Sequence, residues 1–149
     1  MKPVMVIGRI GAGKSTLLKA LTESGDRVRK TQMVEFRDWV IDTPGEYVEI
    51  PSFHSNLIST AMRTAAVMVI QDAVAQRPAL PPQFCRVFPV PVVGVVTKID
   101  RPDAQPERAE AHLKSCGVDG PYLRVSALTG EGLDQLRRHI KRLREEGST

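Results

Sequence analysis

The sequence has little of what marks secreted or membrane proteins. Its 149 residues contain only two cysteines, Cys85 and Cys116, and their wide separation matches no metal-binding or redox spacing. No apolar run approaches the roughly 20 residues that a membrane span needs. No apolar region with a cleavage site follows the N-terminus. Two isolated thiols in such a chain are typical of reduced, partly buried side chains. We therefore expect a cytoplasmic protein with no membrane contact.

The composition also lacks the extremes that would indicate a disordered or fibrous chain. Hydrophobic residues make up 42% of the sequence and charged residues 26%, which is ordinary for a globular domain. A chain of this length can bury one core of its own. We therefore predict a single domain over residues 1–149.

The net charge of +4 is the one compositional feature that suggests a nucleic-acid partner. Many of the cations fall on the last predicted helix, residues 132–144, which also carries an apolar stripe. The stripe consists of Leu133, Leu136, Ile140 and Leu143. Cations opposite such a stripe are typical of an ordinary solvated helix face. We therefore do not expect nucleic acid as a partner.

The informative stretch near the N-terminus is a glycine-rich loop between a predicted strand, residues 3–8, and a predicted helix, residues 14–24. The loop reads G-x-x-x-x-G-K-[ST], a pattern whose backbone N–H groups hold phosphate oxygens at a helix N-terminus. Lys14 would reach the β- and γ-phosphates, and the Ser15 hydroxyl would bind Mg²⁺. The predicted nucleotide-binding residues here are Gly8, Arg9, Ile10, Gly11, Ala12, Gly13, Lys14, Ser15 and Thr16.

A second phosphate-binding pattern follows 28 residues after Lys14. Asp42-Thr43-Pro44-Gly45 closes a predicted strand, residues 39–42, and reads D-x-x-G. A carboxylate at the end of a strand can hold Mg²⁺, directly or through water. The backbone N–H of Gly45 can approach the γ-phosphate because no side chain stands in the way. Asp42 is thus a predicted metal ligand and Gly45 a predicted phosphate contact.

The rest of the chain alternates strands and helices, which indicates a mostly parallel sheet with helices on both faces. Predicted strands cover residues 33–36 and 39–42 (as a hairpin), 66–71, 92–97 and 122–125, and predicted helices cover 54–65 and 106–115 as well as the two named above. Proline-rich residues 77–82 resist regular structure, and only a short helix is expected at 83–88.

Four patterns in this order resemble the small GTPase domain, which implies a three-layer, Ras-like P-loop NTPase fold. Thr97-Lys98-Ile99-Asp100 is similar to the base-recognition motif N-K-x-D, with Thr97 in place of Asn. Ser126-Ala127-Leu128 is similar to the S-A-x motif that supports the base. The resemblance adds Thr97, Lys98, Asp100, Ser126, Ala127 and Leu128 to the predicted nucleotide-binding residues.

The resemblance also implies which residues act in phosphoryl transfer. Glu46 follows D-x-x-G where some GTPases carry a water-orienting Gln, and a carboxylate there could orient water as an acceptor. Thr31 fits the switch threonine that joins Mg²⁺, although an exposed loop threonine is the alternative. The predicted catalytic residues are therefore Lys14, Thr31 and Glu46, and the predicted Mg²⁺ ligands are Ser15, Thr31 and Asp42.

A closer resemblance is to the ethanolamine- and propanediol-utilization P-loop proteins, the EutP and PduV family. Lys30-Thr31-Gln32 shortly before Asp42-Thr43-Pro44-Gly45-Glu46-Tyr47 carries it. The family implies a cytoplasmic bacterial protein linked to metabolic microcompartments, with shell or enzyme components as partners. It leaves three activities open: binding and slow hydrolysis of GTP, ATP-dependent phosphorylation of acetate, or nucleotide-dependent docking without catalysis. The expected cofactors are Mg²⁺ and GTP or GDP, with ATP as the alternative.

Overall fold

The computed structural model of the chain describes residues 1–22 and 39–147. Five parallel strands form one sheet in the order β2-β1-β3-β4-β5. The strands are Val4–Ile7 (β1), Val40–Asp42 (β2), Ala66–Asp72 (β3), Val92–Thr97 (β4) and Leu123–Arg124 (β5). The helices are Lys14–Thr22 (α1), Glu46–Glu49 (α2), His54–Ala61 (α3), Pro106–Ser115 (α4) and Leu133–Glu146 (α5), with short 3₁₀ turns at Pro51–Phe53 and Phe84–Val87.

Two apolar cores lie on opposite faces of this sheet, because successive side chains of a strand point to opposite faces. In β1, Val4 and Val6 pack with α1 and α5, whereas Met5 and Ile7 pack with α3 and α4. All seven residues of β3 are buried, as expected for a central parallel strand covered on both sides. The result is the predicted three-layer α/β fold with a parallel sheet and helices on both faces.

Several predicted boundaries differ from the structure. The helix predicted over residues 54–65 ends at Ala61, because the Ala65 N–H donates to the Pro3 carbonyl at 2.8 Å and leads the chain into β3. The last helix runs from Leu133 to Glu146, two residues beyond the prediction. The strand predicted over 39–42 pairs in parallel with β1. Its predicted hairpin partner, residues 33–36, lies outside the described residues.

Both cysteines are buried and neither forms a disulfide. Burial raises the pKa of the Cys85 thiol to about 12 and also raises the pKa of the Cys116 thiol. The two side chains therefore remain neutral near pH 7 and act as small apolar groups, which suits the predicted reduced state. Across residues 1–22 and 39–147, no helix is both long and apolar enough to cross a membrane.

The core under α4 provides a direct test of this packing. Leu113 is fully buried (0% exposed), whereas Leu128 is 84% exposed. Replacing Leu113 by Ala leaves a cavity and should lower the free energy of unfolding by about 2–5 kcal/mol. The matched variant Leu128→Ala should change it by about 0.5 kcal/mol or less. Urea unfolding followed by circular dichroism measures both, and equal small effects would contradict this assignment of the core.

Candidate functional site

The predicted site residues gather at one edge of the sheet, where the parallel strands end. β1 leads into the glycine-rich loop, β2 ends at Asp42, β4 ends at Thr97, and Ser126 follows β5 by two residues. In open parallel sheets this carboxyl edge is where ligands bind, because the loops after neighbouring strands meet there. The register brings Asp72 beside Thr97 and Asp42 beside Val6. Residues far apart in sequence therefore meet around one loop.

The loop between β1 and α1 has the backbone of an anion cradle. Gly11 and Gly13 have φ values of +84° and +89°, a left-handed conformation that glycine adopts without steric cost. The Leu17 N–H donates to the Gly13 carbonyl at 2.8 Å, so the helical hydrogen bonds begin there. The N–H groups of the first turn, which includes Lys14 and Ser15, lie beyond the reach of helical acceptors. Their arrangement can bind phosphate oxygens at the positive end of α1.

Lys14 connects this loop to the D-x-x-G segment. Its ammonium group donates to an Asp42 carboxylate oxygen and, at 2.6 Å, to the Thr43 carbonyl. Thr43 is buried, and its hydroxyl donates to the Val6 carbonyl at 2.8 Å, which anchors the segment to β1. Two motifs 28 residues apart in sequence thus form one charged site.

Gly45 approaches the glycine-rich loop too closely for any side chain. A Cβ atom at Gly45 would lie 2.7 Å from Ile10 Cγ1 and 2.9 Å from the Ile10 backbone nitrogen. The requirement for glycine at this position therefore comes from the close approach of Ile10, and the approach of the Gly45 N–H to the γ-phosphate stays a prediction. Glu46 follows as the first residue of α2 and is exposed at the same edge.

Thr97 and Lys98 hold the glycine-rich loop from its other side. The Thr97 hydroxyl donates to the Ala12 carbonyl and the Lys98 ammonium group donates to the Gly11 carbonyl, each at 2.7 Å. Lys98 has a φ of +62°, an uncommon conformation for a residue with a side chain. The segment that resembles the base-recognition motif is therefore in contact with the glycine-rich loop.

Sequence reasoning missed Asp72, which completes this contact. One of its carboxylate oxygens lies 2.8 Å from the Lys98 ammonium nitrogen, and the other accepts the Val74 N–H at 2.7 Å. Asp72 ends the apolar strand β3 at the carboxyl edge, as Asp42 ends β2. A carboxylate at the end of a buried strand was the signal that could have found it.

Asp100 and Ser126, which were predicted separately as nucleotide-binding residues, are in direct contact. The buried Ser126 hydroxyl donates to Asp100 Oδ1 at 2.8 Å and accepts the Thr129 N–H at 3.0 Å. Among the described residues no hydrogen bond is formed to the second carboxylate oxygen of Asp100, so it can accept one from a ligand or from water. A cavity of about 180 Å³ lies beside it, and its lining includes Arg101, which the sequence reasoning did not identify. The other lining residues are Gly13, Thr16, Leu17, Thr97, Lys98, Asp100, Ala127 and Leu128.

Two predicted residues stand apart from this arrangement. Arg9 lies in the glycine-rich loop, but its guanidinium group is 3.4 Å from the Glu49 carboxylate at the end of α2. Thr31 lies outside the described residues. The remaining predicted residues line the same edge of the sheet, from Glu46 and Asp42 at one end to Leu128 at the other.

The parallel sheet and the glycine-rich loop after its first strand define the fold class of P-loop NTPase domains. A comparison with protein-family models matches residues 1–142 to the family PduV-EutP, described as "Ethanolamine utilisation - propanediol utilisation". The chain belongs to the PduV-EutP family, as its sequence predicted.

Curated relatives match over nearly the full length. "Probable acetate kinase EutP" of Escherichia coli (strain K12) is 30% identical over 148 residues, which cover 98% of this chain and 93% of that protein. The protein of the same name from Salmonella typhimurium (strain LT2) is 32% identical over 148 residues, with the same coverage. "Propanediol utilization protein PduV" of Citrobacter freundii is 32% identical over 139 residues, or 91% of each chain.

The ion pair between Asp72 and Lys98 can be tested without any ligand. Asp72→Asn keeps the shape but removes the charge partner of Lys98, and should lower the free energy of unfolding by about 1–2 kcal/mol. This is the lower part of the range for charged hydrogen bonds, because Lys98 is partly exposed. The control Asp103→Asn removes an exposed pair with Arg101 and should cost about 0.5 kcal/mol or less. Equal effects in urea unfolding would show that Asp72 does not stabilise the loop.

Proposed function

We propose that the chain binds a Mg²⁺-nucleoside triphosphate at the carboxyl edge and slowly transfers the γ-phosphoryl group to water. The observation that carries the proposal is the convergence of Lys14, Asp42 and Thr43, which unites the two phosphate-binding motifs. Phosphoryl transfer depends on positioning and on neutralising charge, and it needs little covalent chemistry from the protein. A cation beside a loop of directed N–H groups supplies both.

The residues at the edge also fit magnesium. Ser15 and Asp42 offer a hydroxyl and a carboxylate oxygen, both exposed, and Mg²⁺ prefers one or two such protein ligands beside substrate phosphates. In the described part of the chain no three His, Cys, Asp or Glu side chains form a metal cage. Bound Mg²⁺ would neutralise triphosphate charge. Lys14 would then exchange the Asp42 carboxylate for phosphate oxygens, and Glu46 would orient the attacking water.

The base site supports guanine with a modest preference. Guanine offers N1–H and N2–H₂ as adjacent donors to the carboxylate of Asp100, which Ser126 holds in place. Adenine has an acceptor at N1 and would leave this carboxylate unpaired. The Thr97 hydroxyl donates to the Ala12 carbonyl, so Thr97 stabilises the glycine-rich loop. Recognition of the base would then depend on Asp100. Ala127 and Leu128 would lie over the edge of the base, and Lys98 under it.

A second candidate is a kinase that transfers the γ-phosphoryl group of ATP to acetate. The names of the relatives from Escherichia coli and Salmonella typhimurium favour it, as does Thr97 in place of the Asn of GTPases. Both candidates use the same triphosphate site and differ in the acceptor. Either activity would place the chain in microcompartment-linked use of ethanolamine or propanediol, with shell or enzyme components as protein partners.

Lys14 provides the first test of the triphosphate site. Lys14→Ala removes a charge-assisted contact and should weaken binding of Mg²⁺-GTP and Mg²⁺-ATP by about 1.5–3 kcal/mol, roughly 10- to 150-fold. The control Lys141→Ala changes an exposed lysine of α5 and should leave both affinities unchanged. Isothermal titration calorimetry gives the affinities, with circular dichroism to verify folding. Wild-type affinity in a folded Lys14→Ala variant would refute the site.

Asp100 provides the test of the base. The wild-type protein should bind GTP about 10-fold more tightly than ATP in the presence of Mg²⁺, since unpaired buried polar groups cost about 1–3 kcal/mol. Asp100→Asn replaces an acceptor by a donor, so it should lose this preference and gain affinity for xanthosine triphosphate. Asp103→Asn, in the same loop, serves as the control.

The same titrations can decide against guanine. If the wild-type protein prefers ATP and Asp100→Asn leaves ATP binding unchanged, then Asp100 does not read the base. The ATP-dependent kinase would then be the better description of this site.

A further inference from the structure

We infer that Arg101 is a second specificity-determining residue of the cavity beside Asp100, and that its guanidinium group recognises guanine through the acceptors O6 and N7. The inference rests on the proposed triphosphate site, because the base of the nucleotide would enter this cavity. Arg101 directly follows Asp100 in the loop after β4, and none of the four sequence patterns includes it.

The cavity leaves one edge of a guanine without an obvious partner. Its volume of about 180 Å³ suits one part of a nucleotide, and both Asp100 and Arg101 line it. The Asp100 carboxylate matches the donors N1–H and N2–H₂ of guanine. The neighbouring edge of the base carries two acceptors, O6 and N7. Burying these acceptors without donors is unfavourable, so a guanine site needs donors on this edge as well.

Most side-chain donors around the cavity already have acceptors within the protein. The Thr97 hydroxyl donates to the Ala12 carbonyl, and the Lys98 ammonium group donates to the Gly11 carbonyl, each at 2.7 Å. The Thr16 hydroxyl also lines the cavity, but it can donate only one hydrogen bond. None of these side chains offers two donors fixed side by side.

Arg101 has the donors that this edge of the base requires. Its Nε atom lies 3.4 Å from Asp103 Oδ1, and exposed fractions of 49% and 62% make this a weak ion pair. Among the described residues, neither terminal nitrogen of Arg101 donates a hydrogen bond, so both N–H groups of the fork are available to a ligand.

The backbone of Arg101 is fixed in a turn beside the cavity. Its N–H donates to the Lys98 carbonyl at 3.2 Å, and its carbonyl accepts the Ala104 N–H at 3.1 Å. Only the side chain of Arg101 therefore has to become ordered when a base binds, which limits the entropy that this contact costs.

The chemistry of the two purines makes this contact selective. The planar fork of an arginine can donate to O6 and N7 of guanine at the same time. Adenine presents N7 beside the donor N6–H₂, which would face an N–H group of the arginine. Arg101 and Asp100 would therefore both favour guanine, each from a different edge of the base.

The decisive probe is 7-deazaguanosine triphosphate, in which a C–H group replaces N7 and the edge that faces Asp100 is unchanged. The wild-type protein should bind GTP at least 5-fold more tightly than this analogue in the presence of Mg²⁺. In Arg101→Ala the ratio of the two affinities should fall below about twofold, because the donor to N7 is gone. Isothermal titration calorimetry gives the affinities, and circular dichroism verifies folding.

Conservative variants separate recognition of the base from attraction of charge. Arg101→Gln should lose affinity for GTP and gain affinity for ATP, because a glutamine amide matches N6–H₂ and N7 of adenine. Arg101→Lys keeps the charge but loses the fork, so its preference for GTP over ATP should fall. The controls Asp103→Asn and Arg138→Gln, the latter an exposed arginine of α5, should leave this preference within about twofold.

Three results would overturn the inference and leave the triphosphate site standing. Equal affinity ratios for GTP and its 7-deaza analogue in the wild-type protein and in Arg101→Ala would show that Arg101 does not contact N7. An equal loss of GTP and ATP binding in Arg101→Gln would place Arg101 at the phosphates or over the plane of the base. A wild-type protein that prefers ATP to GTP would exclude guanine recognition by either residue. A wild-type protein that binds no nucleotide would overturn the proposed function and this inference together.

Discussion

The site depends on the hydrogen bonds that Thr97 and Lys98 donate to two consecutive carbonyls of the glycine-rich loop, those of Ala12 and Gly11. A loop that directs its N–H groups to one side directs its carbonyls to the other, and the buried Ala12 carbonyl in particular needs a donor. Here the donors come from the end of β4, which also carries the base motif. One set of contacts therefore orders the glycine-rich loop and joins it to the segment that resembles N-K-x-D. The Asp72 carboxylate holds Lys98 in this role.

Most of this architecture can be predicted from the sequence, because it follows from residue patterns within single short segments. The uninterrupted apolar runs of β3 and β4 predict buried parallel strands, and the spacing of glycines around Lys14 predicts a strand, a cradle and a helix in that order. Asp42 ends one strand and Asp100 lies in the loop after another, which predicts that both lie at the carboxyl edge of a parallel sheet. Helix α2 was missed because four residues, Glu46–Glu49, are too few to show a periodic pattern.

The contacts that the sequence did not reveal join residues from different strands or loops. Asp72 reaches Lys98 across the pair β3 and β4, and the Gln71 side chain bonds the backbone of Arg77 and Ala79 in the loop after β3. No motif relates such residues, since their pairing follows from register and loop geometry. Thr97 is similar: the sequence shows a Thr in place of the Asn of N-K-x-D, but only the structure shows that its hydroxyl bonds the Ala12 carbonyl.

The charged residues of this edge form pairs that a nucleotide would have to exchange. The Lys14 ammonium group is paired with the Asp42 carboxylate, and the Arg9 guanidinium group is paired with the Glu49 carboxylate. Both carboxylates belong to the segment that begins with D-x-x-G. A triphosphate alone would take Lys14 and leave Asp42 unpaired beside phosphate oxygens, which is unfavourable. A magnesium ion on Asp42 removes this conflict, since metal and phosphate then replace the two partners at once. If the proposed triphosphate binds here, this pairing would therefore couple its binding to that of the metal, because Lys14 cannot neutralise both Asp42 and the phosphates fully at the same time.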